Sequence, residues 1–591
     1  MALTQGLFAL FAGRSTCRMF GPARAATVAF VLTVAVSPRL NLAAEPKTST
    51  TALRPSASAA KPSTGRAPHP QTAQIDQLIR AHWEASNLTP SPAATDGEWC
   101  RRAYLDVLGR VPTVAELRRF QDAPAADRKA QLVARLLGDE YIEEYASNWT
   151  TLWTNVLIGR SGGTDRQSPI DRSGLAQSLR RALQRNLSYD RLVGELVSAQ
   201  GVSKPGEPGF NGFVNFISGG LEENAVQATA KTAQIFLGLQ IQCTQCHNHP
   251  FNDWKQNQFW EMNAFFRQTK LLRRRENRRD QQGVELVNQD FNGENNRPDE
   301  AVLFYELRNG LSKAAYPVFV DGTKLSSDSG YVANVDRRSE LSKLIVGSEY
   351  LAPALVNRIW AHFLGYGFTK PVDDMGPHNP PSHPELLDFL SKEFKTGEYD
   401  LKKLMSWILL SEAYGLSSKM TPRNKQDDPA LGAKPEFSHF YLRQMRAEEL
   451  YESLLVATEA DRTATSFEQR EATKREWLKQ FTLAFGTDDN EETTTFNGTI
   501  PQVLMMMNGE LVSKATSVEK GSFLYRVAGD AKMNNAAKIN HLYLAALARR
   551  PTGQEIALAN ELMRLREGDP IAALQDVWWA VLNSNEFIFN H

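Results

Sequence analysis

Cys243-Thr244-Gln245-Cys246-His247 brings two thiols and an imidazole into five residues of a chain that has only four cysteines and ten histidines. The C-x-x-C-H spacing is that of a covalent c-type haem attachment sequence, in which each thiol adds to a haem vinyl group and the adjacent imidazole is the proximal iron ligand. Cys243, Cys246 and His247 are therefore the expected cofactor-binding residues. His249 lies two positions further on, so the same thiols with His247 and His249 also read as a compact Zn or Fe site without porphyrin, since thiolate and imidazole suit both ions. A Cys243-Cys246 disulfide is a third reading of the pair. The sixth iron position has Met262, Met375, His378 and the run Met505 to Met507 as candidates, because His249 is too near His247 to reach the opposite face.

A second set of reactive side chains lies far downstream. Asp373, Asp374, His378 and His383 cluster in one short segment, and carboxylates beside imidazoles can act as acid, base or cation ligands. They are the candidate catalytic residues if the protein is a hydrolase, for instance one acting on complex polysaccharides. Ser382 and Glu385 bracket His383-Pro384 in the pattern of a capping box, which gives that segment a structural account as a helix start. His82 reads as a core-edge residue. Cys100, inside a helical stretch with no neighbouring partner, reads as a buried thiol.

These residues must be carried by a chain of 591 residues, more than one hydrophobic core usually organises, so two or more domains are expected. Lys plus Arg and Asp plus Glu both total 67, and the net charge of zero gives no reason to expect a nucleic-acid partner. Arg14, Arg18 and Arg24 precede an apolar run from Ala25 to Val36 that ends near Ala43 and Ala44. This is the layout of a signal peptide over residues 1–44, and the run is too short to give a stable transmembrane span. The expected location is periplasmic or otherwise extracytoplasmic, which agrees with c-type haem attachment outside the cytoplasm. Residues 45–72, rich in Pro, Ser, Thr and Ala, read as a disordered linker.

Helical periodicity begins at Ile75 with Leu78, Ile79 and His82. Helices follow over about Thr95 to Leu108 stopped by Gly109, from a Thr113/Glu116 capping box, over Asp127 to Leu137, and over Glu140 to Leu157 with an aromatic stripe at Tyr145, Trp149 and Trp153. Gly201 to Gly220 reads as a loop, and a helix over Glu222 to Leu239 leads into Cys243. Six basic residues in Lys270 to Arg279 read as a solvated loop or, on a minority view, a surface for haem propionates or an acidic redox partner protein. Val284 to Val287, Val302 to Leu307 and Pro317 to Val320 read as short strands, with Asp321-Gly322 as a turn. Leu401, Leu404, Met405, Ile408 and Leu409 mark one buried helical face. The fold class is mainly α: a helical domain at 73–267, a basic loop and small β insertion at 268–334, and a second helical domain at 335–591.

Specific resemblance joins these segments. CTQCHNHPFNDWKQNQFWEMNAFF from Cys243, with IDQLIRAHWEASNLTPSP from Ile75 and RRAYLDVLGRVPTVAEL from Arg101, resembles the planctomycete cytochrome-c-like domain of unknown function. LVNRIWAHFLGYGF from Leu355, VDDMGPHNPPSHPELLDFL from Val372, RAEELYESLLVATE from Arg446 and the tail LNSNEFIFNH are similar to the C-terminal planctomycete-type domain that usually accompanies it. The resemblance implies one haem-like motif and no defined activity. Members of that family often carry Asp where this chain has Asn248 and Asn252, which weakens any scheme using those positions as carboxylates. Taken together, the residues lead us to expect an exported protein with one covalent haem c, acting in electron transfer or haem-based redox chemistry, with a cleft between the two halves as the place for a shared site.

Overall fold

A computed structural model describes residues 69–591 except 166, 274–282, 290–301, 326–334, 464–465, 487–498 and 567–568. The signal-peptide reading, almost all of the linker and residues 274–279 of the basic stretch lie outside the described residues. The architecture is mainly α, with three small antiparallel sheets among the described residues. Among the described residues, no helix is long and apolar enough to cross a membrane.

Local chemistry sets the helix boundaries. Thr95 and Thr113 each accept from the backbone N–H three residues on, while Glu98 and Glu116 reach back to the capping residue's own N–H, so Asp96–Leu108 and Val114–Asp122 both start with reciprocal capping boxes. Gly109 ends the first of these in the left-handed region at φ 74°. Ile142–Ile158 places Tyr145, Trp149 and Trp153 in the core, and Leu401–Leu409 buries the five residues expected of it, with Trp407 added. The capping box expected at Ser382/Glu385 does not form. Helix Pro384–Thr396 has His383 as its N-cap with no side-chain cap, because the Ser382 hydroxyl is spent on His383 Nδ1 at 2.9 Å and Pro384 needs no capping partner for its missing N–H.

The strands are few and short: β1 (Gly201–Val202), β2 (Thr269–Arg273), β3 (Val284–Asn288), β4 (Leu303–Glu306), β5 (Ser312–Ala315), β6 (Arg443–Gln444) and β7 (Phe589–Asn590). The first sheet has the order β1-β3-β2, with Leu271 opposite Leu286. β4 and β5 form a hairpin, and β6 pairs with β7 near the end of the chain. Two expectations change here. Pro317 to Val320 makes only an isolated bridge, Val318 to Lys324, around the Asp321-Gly322 turn, and the strand that pairs with β4 is Ser312–Ala315. Its SKAA sequence lacks β-branched residues, so pairing with β4 sets its conformation in place of propensity. The stretch from Gly201 is also more ordered than a loop: it contains β1 and helix Val214–Ser218. Gly212 packs so close to Gly174 that a Cβ there would meet the Gly174 carbonyl oxygen at 1.9 Å.

Among the described residues there are two large hydrophobic cores and a small third cluster of Ala264, Leu303, Tyr305 and Ala315. The first runs from Ile75 to Tyr441, with Leu544 and Ala548 added from the C-terminal helices. The second gathers Met445 to Ile588 and takes Leu105 and Val111 from the N-terminal half. Residues 335–441 thus pack with the N-terminal half, and the two large cores divide near residues 442–444. The reason lies in Asp96–Leu108, whose Tyr104, Val107 and Leu108 face one core while Leu105 faces the other.

Buried arginines tie the segments together. Arg101 donates to the carbonyls of Phe587 at 2.8 Å and Phe589 at 3.0 Å, and Arg102 donates to those of Tyr414, Leu416 and His591. Asp106, fully buried, accepts from Arg443, from the Tyr414 hydroxyl at 2.6 Å and from Asn590 Nδ2 at 2.8 Å. Arg338 plays the same part at the β sheet, donating to Val197, Ala199, Thr269 and Asn288. Much of the sequence at RRAYLD and in the C-terminal tail is accounted for by these contacts.

Candidate functional site

The helix that leads to the thiols is interrupted twice. Glu223, Asn224 and Ala225 lie in the left-handed region, so regular α-helix begins only after them, and its last turn, Ala233–Leu237, widens into a π-helix. Gly238 stops it at φ 67°, a conformation that costs other residues strain. Gln242–Gln245 then forms one 3-10 turn, with Thr244 fully buried and its hydroxyl donating to the Ile241 carbonyl at 2.6 Å. Ile241 and Thr244 anchor the inner side of this turn. Cys243 and Cys246 are thereby left exposed, and both are free thiols.

Helix Gln256–Asn263 braces the motif from behind. Gln256 Nε2 donates to the carbonyls of Gln245 at 3.2 Å and Glu306 at 2.8 Å, and Trp260 Nε1 donates to Gln245 at 3.0 Å. Asn248 Oδ1 accepts the Gln256 backbone N–H, and Asn252 Oδ1 accepts that of Trp254. Both contacts need only a side-chain oxygen, which Asp would supply as well as Asn, and neither position needs a catalytic carboxylate to explain it.

His247 is exposed and its Nδ1 lies 2.7 Å from the Asn248 carbonyl oxygen. A carbonyl can only accept, so Nδ1 carries the proton and Nε2 is left with its lone pair outward. That is the tautomer a metal-ligating histidine needs, oriented by a backbone carbonyl on its far nitrogen. His249 is turned the other way: its Nδ1 accepts from the backbone N–H groups of Phe251 and Asn252, both at 3.2 Å.

A cleft of about 530 Å³ opens beside Cys246. Trp260 and Tyr305, stacked with centroids 6.1 Å apart, form one side, and Arg267 and Arg308 supply cations. The other aromatic residues of the motif segment divide between core and surface: Phe259, Phe265 and Phe266 are buried, whereas Phe251 is 84% exposed.

The downstream candidates separate into three groups. Asp373, almost fully buried, accepts from Gln234 Nε2 and Gln240 Nε2, both at 2.8 Å, with Arg358 at 3.7 Å, so it is a structural tie between its loop and the segment before Cys243. Met375 N–H donates to the Gly238 carbonyl at 2.8 Å and completes that tie. Asp374 and His378 pair at 2.9 Å, and the His378 ring lies 6.5 Å from that of His249. The structure therefore brings Asp374 and His378 near His249, two residues beyond the C-x-x-C-H motif. His383 is not with them: its ring lies 3.8 Å from His82, next to Glu436. Burial and the neighbouring His82 push its pKa down to about 3. Sequence reasoning placed His82 at a core edge and passed over Glu436, and no local pattern marks either.

Of the candidate sixth ligands, Met262 is fully buried in the first core and Met506 in the second. Met375 is turned onto Gly238, where a Cβ would meet its sulfur at 2.9 Å. His378 alone of these sits beside the motif. Cys100 is buried, and desolvation drives its thiol pKa far up, so it is an inert core residue.

The molecule is thus a mainly α protein that displays an exposed C-x-x-C-H turn against a polar loop from its second half. Residues 74–271 match the family described as a protein of unknown function, DUF1549 (PSCyt2), and residues 337–563 match the one described as a protein of unknown function, DUF1553 (PSD1). No curated protein and no solved structure matches the chain.

Proposed function

We propose that this is an exported redox protein whose Cys243, Cys246 and His247 hold one covalent c-type haem. The observation that carries the reading is the state of the motif: two exposed thiols on one turn beside an imidazole whose Nδ1–H is held by a carbonyl and whose Nε2 is free. The residues fit the group. Thioether bonds need accessible sulfurs, and the neighbouring cleft offers an aromatic wall with Arg267 and Arg308 to meet carboxylates. When bound, haem supplies one-electron chemistry at iron. The chain's own part is to fix the imidazole, to hold the turn through Thr244, Gln256 and Trp260, and to bring the Asp374–His378 pair alongside.

The zinc or iron alternative at Cys243, Cys246, His247 and His249 has less support. Among the described residues, those donor atoms do not converge as a metal-binding group, and His249 Nδ1 is occupied by backbone amides. A hydrolytic site built from all four downstream candidates loses Asp373 and His383 to other partners.

Full-length protein made with a haem-maturation system is expected to be red, to keep its pigment through denaturation and to give a pyridine haemochrome spectrum. C243S/C246S is expected to be colourless. A colourless unmodified protein from the same system overturns the proposal. His378→Ala is expected to alter the visible spectrum, and an unaltered one removes His378 from the iron's surroundings.

A further inference from the structure

We infer that His82, His383 and Glu436 form a binding site for one first-row divalent metal ion, separate from the thiol motif. One donor atom from each residue lies within 4.8 Å of the other two. They come from three elements remote in sequence: helix Pro70–Ala85, the N-cap of helix Pro384–Thr396, and the segment that follows Asp427. Two imidazoles with one carboxylate form the ligand set that Zn²⁺ and Fe²⁺ take up with positions left for water.

The orphaned nitrogen is the decisive observation. His383 is 3% exposed, its Nδ1 is satisfied by the Ser382 hydroxyl, and its Nε2 has no hydrogen-bond partner. A buried imidazole nitrogen without a partner is costly, and such groups in native proteins call for an explanation. With His383 Nδ1–H donating to Ser382 Oγ, Nε2 carries a lone pair aimed at the spot that His82 Nε2 and a Glu436 carboxylate oxygen, 2.5 Å apart, already share, and a cation there satisfies it. A proton shared between His82 and Glu436 accounts for that pair but leaves His383 unexplained. A cation accounts for all three.

Supporting contacts hold each ligand in place. Ser382 orients His383, Ser86 Oγ donates to the Glu436 carboxylate at 3.4 Å, and Trp83 Nε1 donates to the Glu436 carbonyl at 2.8 Å. Asp427, fully buried, accepts from the backbone N–H groups of Glu436 and Ser438 and from the Tyr441 hydroxyl, which fixes the loop that delivers Glu436. Phe437 and Phe368 wall the His383 side, with ring centroids 5.2 and 6.2 Å away. His82 and Glu436 remain partly exposed, at 30% and 24% of their side chains, so the ion has a path in and room for water as a further ligand.

The test uses the full chain in a C243S/C246S background, so that the motif thiols cannot compete. After EDTA treatment and dialysis, Zn²⁺ is titrated calorimetrically and Co²⁺ is followed by its visible absorption. We expect one equivalent bound and a metal-dependent rise in melting temperature. His82→Asn and Glu436→Gln, both at partly exposed positions that leave the metal-free fold intact by circular dichroism, are each expected to weaken binding at least about 100-fold. Absence of saturable binding, or unchanged affinity in both variants, overturns the inference. Haem attachment is scored separately with the thiols present, where H82N and E436Q should keep full pigment, so failure of either proposal leaves the other readable.

Discussion

The buried knot around Asp106 and the exposed turn at Cys243 to His247 are built from equally polar residues and do opposite things with them. At Asp106 both carboxylate oxygens are engaged by Arg443, Tyr414 and Asn590, and the neighbouring Glu449 is shared by Arg443 and Arg446. Burial alone would raise the Glu449 pKa, yet the two guanidiniums outweigh it and hold the carboxyl far below its ordinary range. At the thiol turn, two sulfurs and an imidazole nitrogen are left open to solvent. Most polar atoms of this knot are satisfied, with Arg443 Nε, Arg446 Nε and Asn590 Oδ1 left without a partner, so the first arrangement is fit to specify the fold. Reactive groups left open add little to stability and stay available for chemistry.

The largest expected effect breaks the first member of the comparison. Asp106→Ala removes the common partner of Arg443, Tyr414 and Asn590 and leaves a guanidinium with part of its compensation gone. Losing one member of a buried pair costs about 3–5 kcal/mol. A urea midpoint unchanged from the parent protein would show that the knot is ornamental. Arg102→Met should act in the same direction, because three carbonyls lose their donor.

The same region carries a pH dependence. His362 packs against Trp149 and donates Nε2–H to the Asp106 carbonyl at 2.9 Å. Burial first, then the charges of Arg446 and Arg443, push its pKa down to about 3 from an ordinary value of 6.5. The unfolded chain therefore binds a proton that the folded one refuses. This contribution to stability is complete above about pH 6.5 and is lost as pH falls from there towards 3. Denaturant midpoints measured between pH 7 and pH 4 should decline, and His362→Gln should flatten the decline. A midpoint independent of pH over that range would contradict the burial of a neutral imidazole.

Shortly before the turn stands Gly238, which the Met375 loop contacts. Its φ of 67° and the Met375 sulfur 2.9 Å from a would-be Cβ make Gly238→Ala unfavourable on two counts. The left-handed conformation alone costs a residue with a side chain roughly 1–2 kcal/mol. The change should also displace the loop that carries Asp374 and His378 from the motif. Full-length protein with a lowered melting temperature and altered absorption, but with haem content unchanged, is the expected result.

How much of this was legible in the sequence follows from the same contrast. The thiol motif could be read because its chemistry is local: residue type and spacing within five positions. The capping boxes at Thr95 and Thr113 were readable for the same reason, since a cap and its partner stand three residues apart. The division of the four downstream candidates was not. Asp374 and His378 are one helical turn apart in number and do meet, but Asp373 is claimed by Gln234 and Gln240, and His383 by His82. Nothing local in a glutamine announces that it will hold a carboxylate more than a hundred residues away. The left-handed turn at Glu223–Ala225 was hidden likewise, because Glu223 and Ala225 favour a helix by propensity. What they gain is an Asn224 carbonyl placed to accept from Asn263 Nδ2 at 2.8 Å.

The smallest expected effect on stability belongs to the thiol turn, and it sharpens the comparison most. Cys243 and His247 are exposed, and the turn's geometry rests on Thr244, Gln256 and Trp260, none of which depends on either. Cys243→Ser and His247→Ala should therefore shift the stability of the haem-free protein by no more than about 0.5 kcal/mol, as exposed substitutions do. In protein made with haem maturation, the same two changes should abolish or transform the pigment. A loss of stability comparable with Asp106→Ala would mean that the thiols and imidazole are structural, and the separation between the part that holds the fold and the part that takes a ligand would fail.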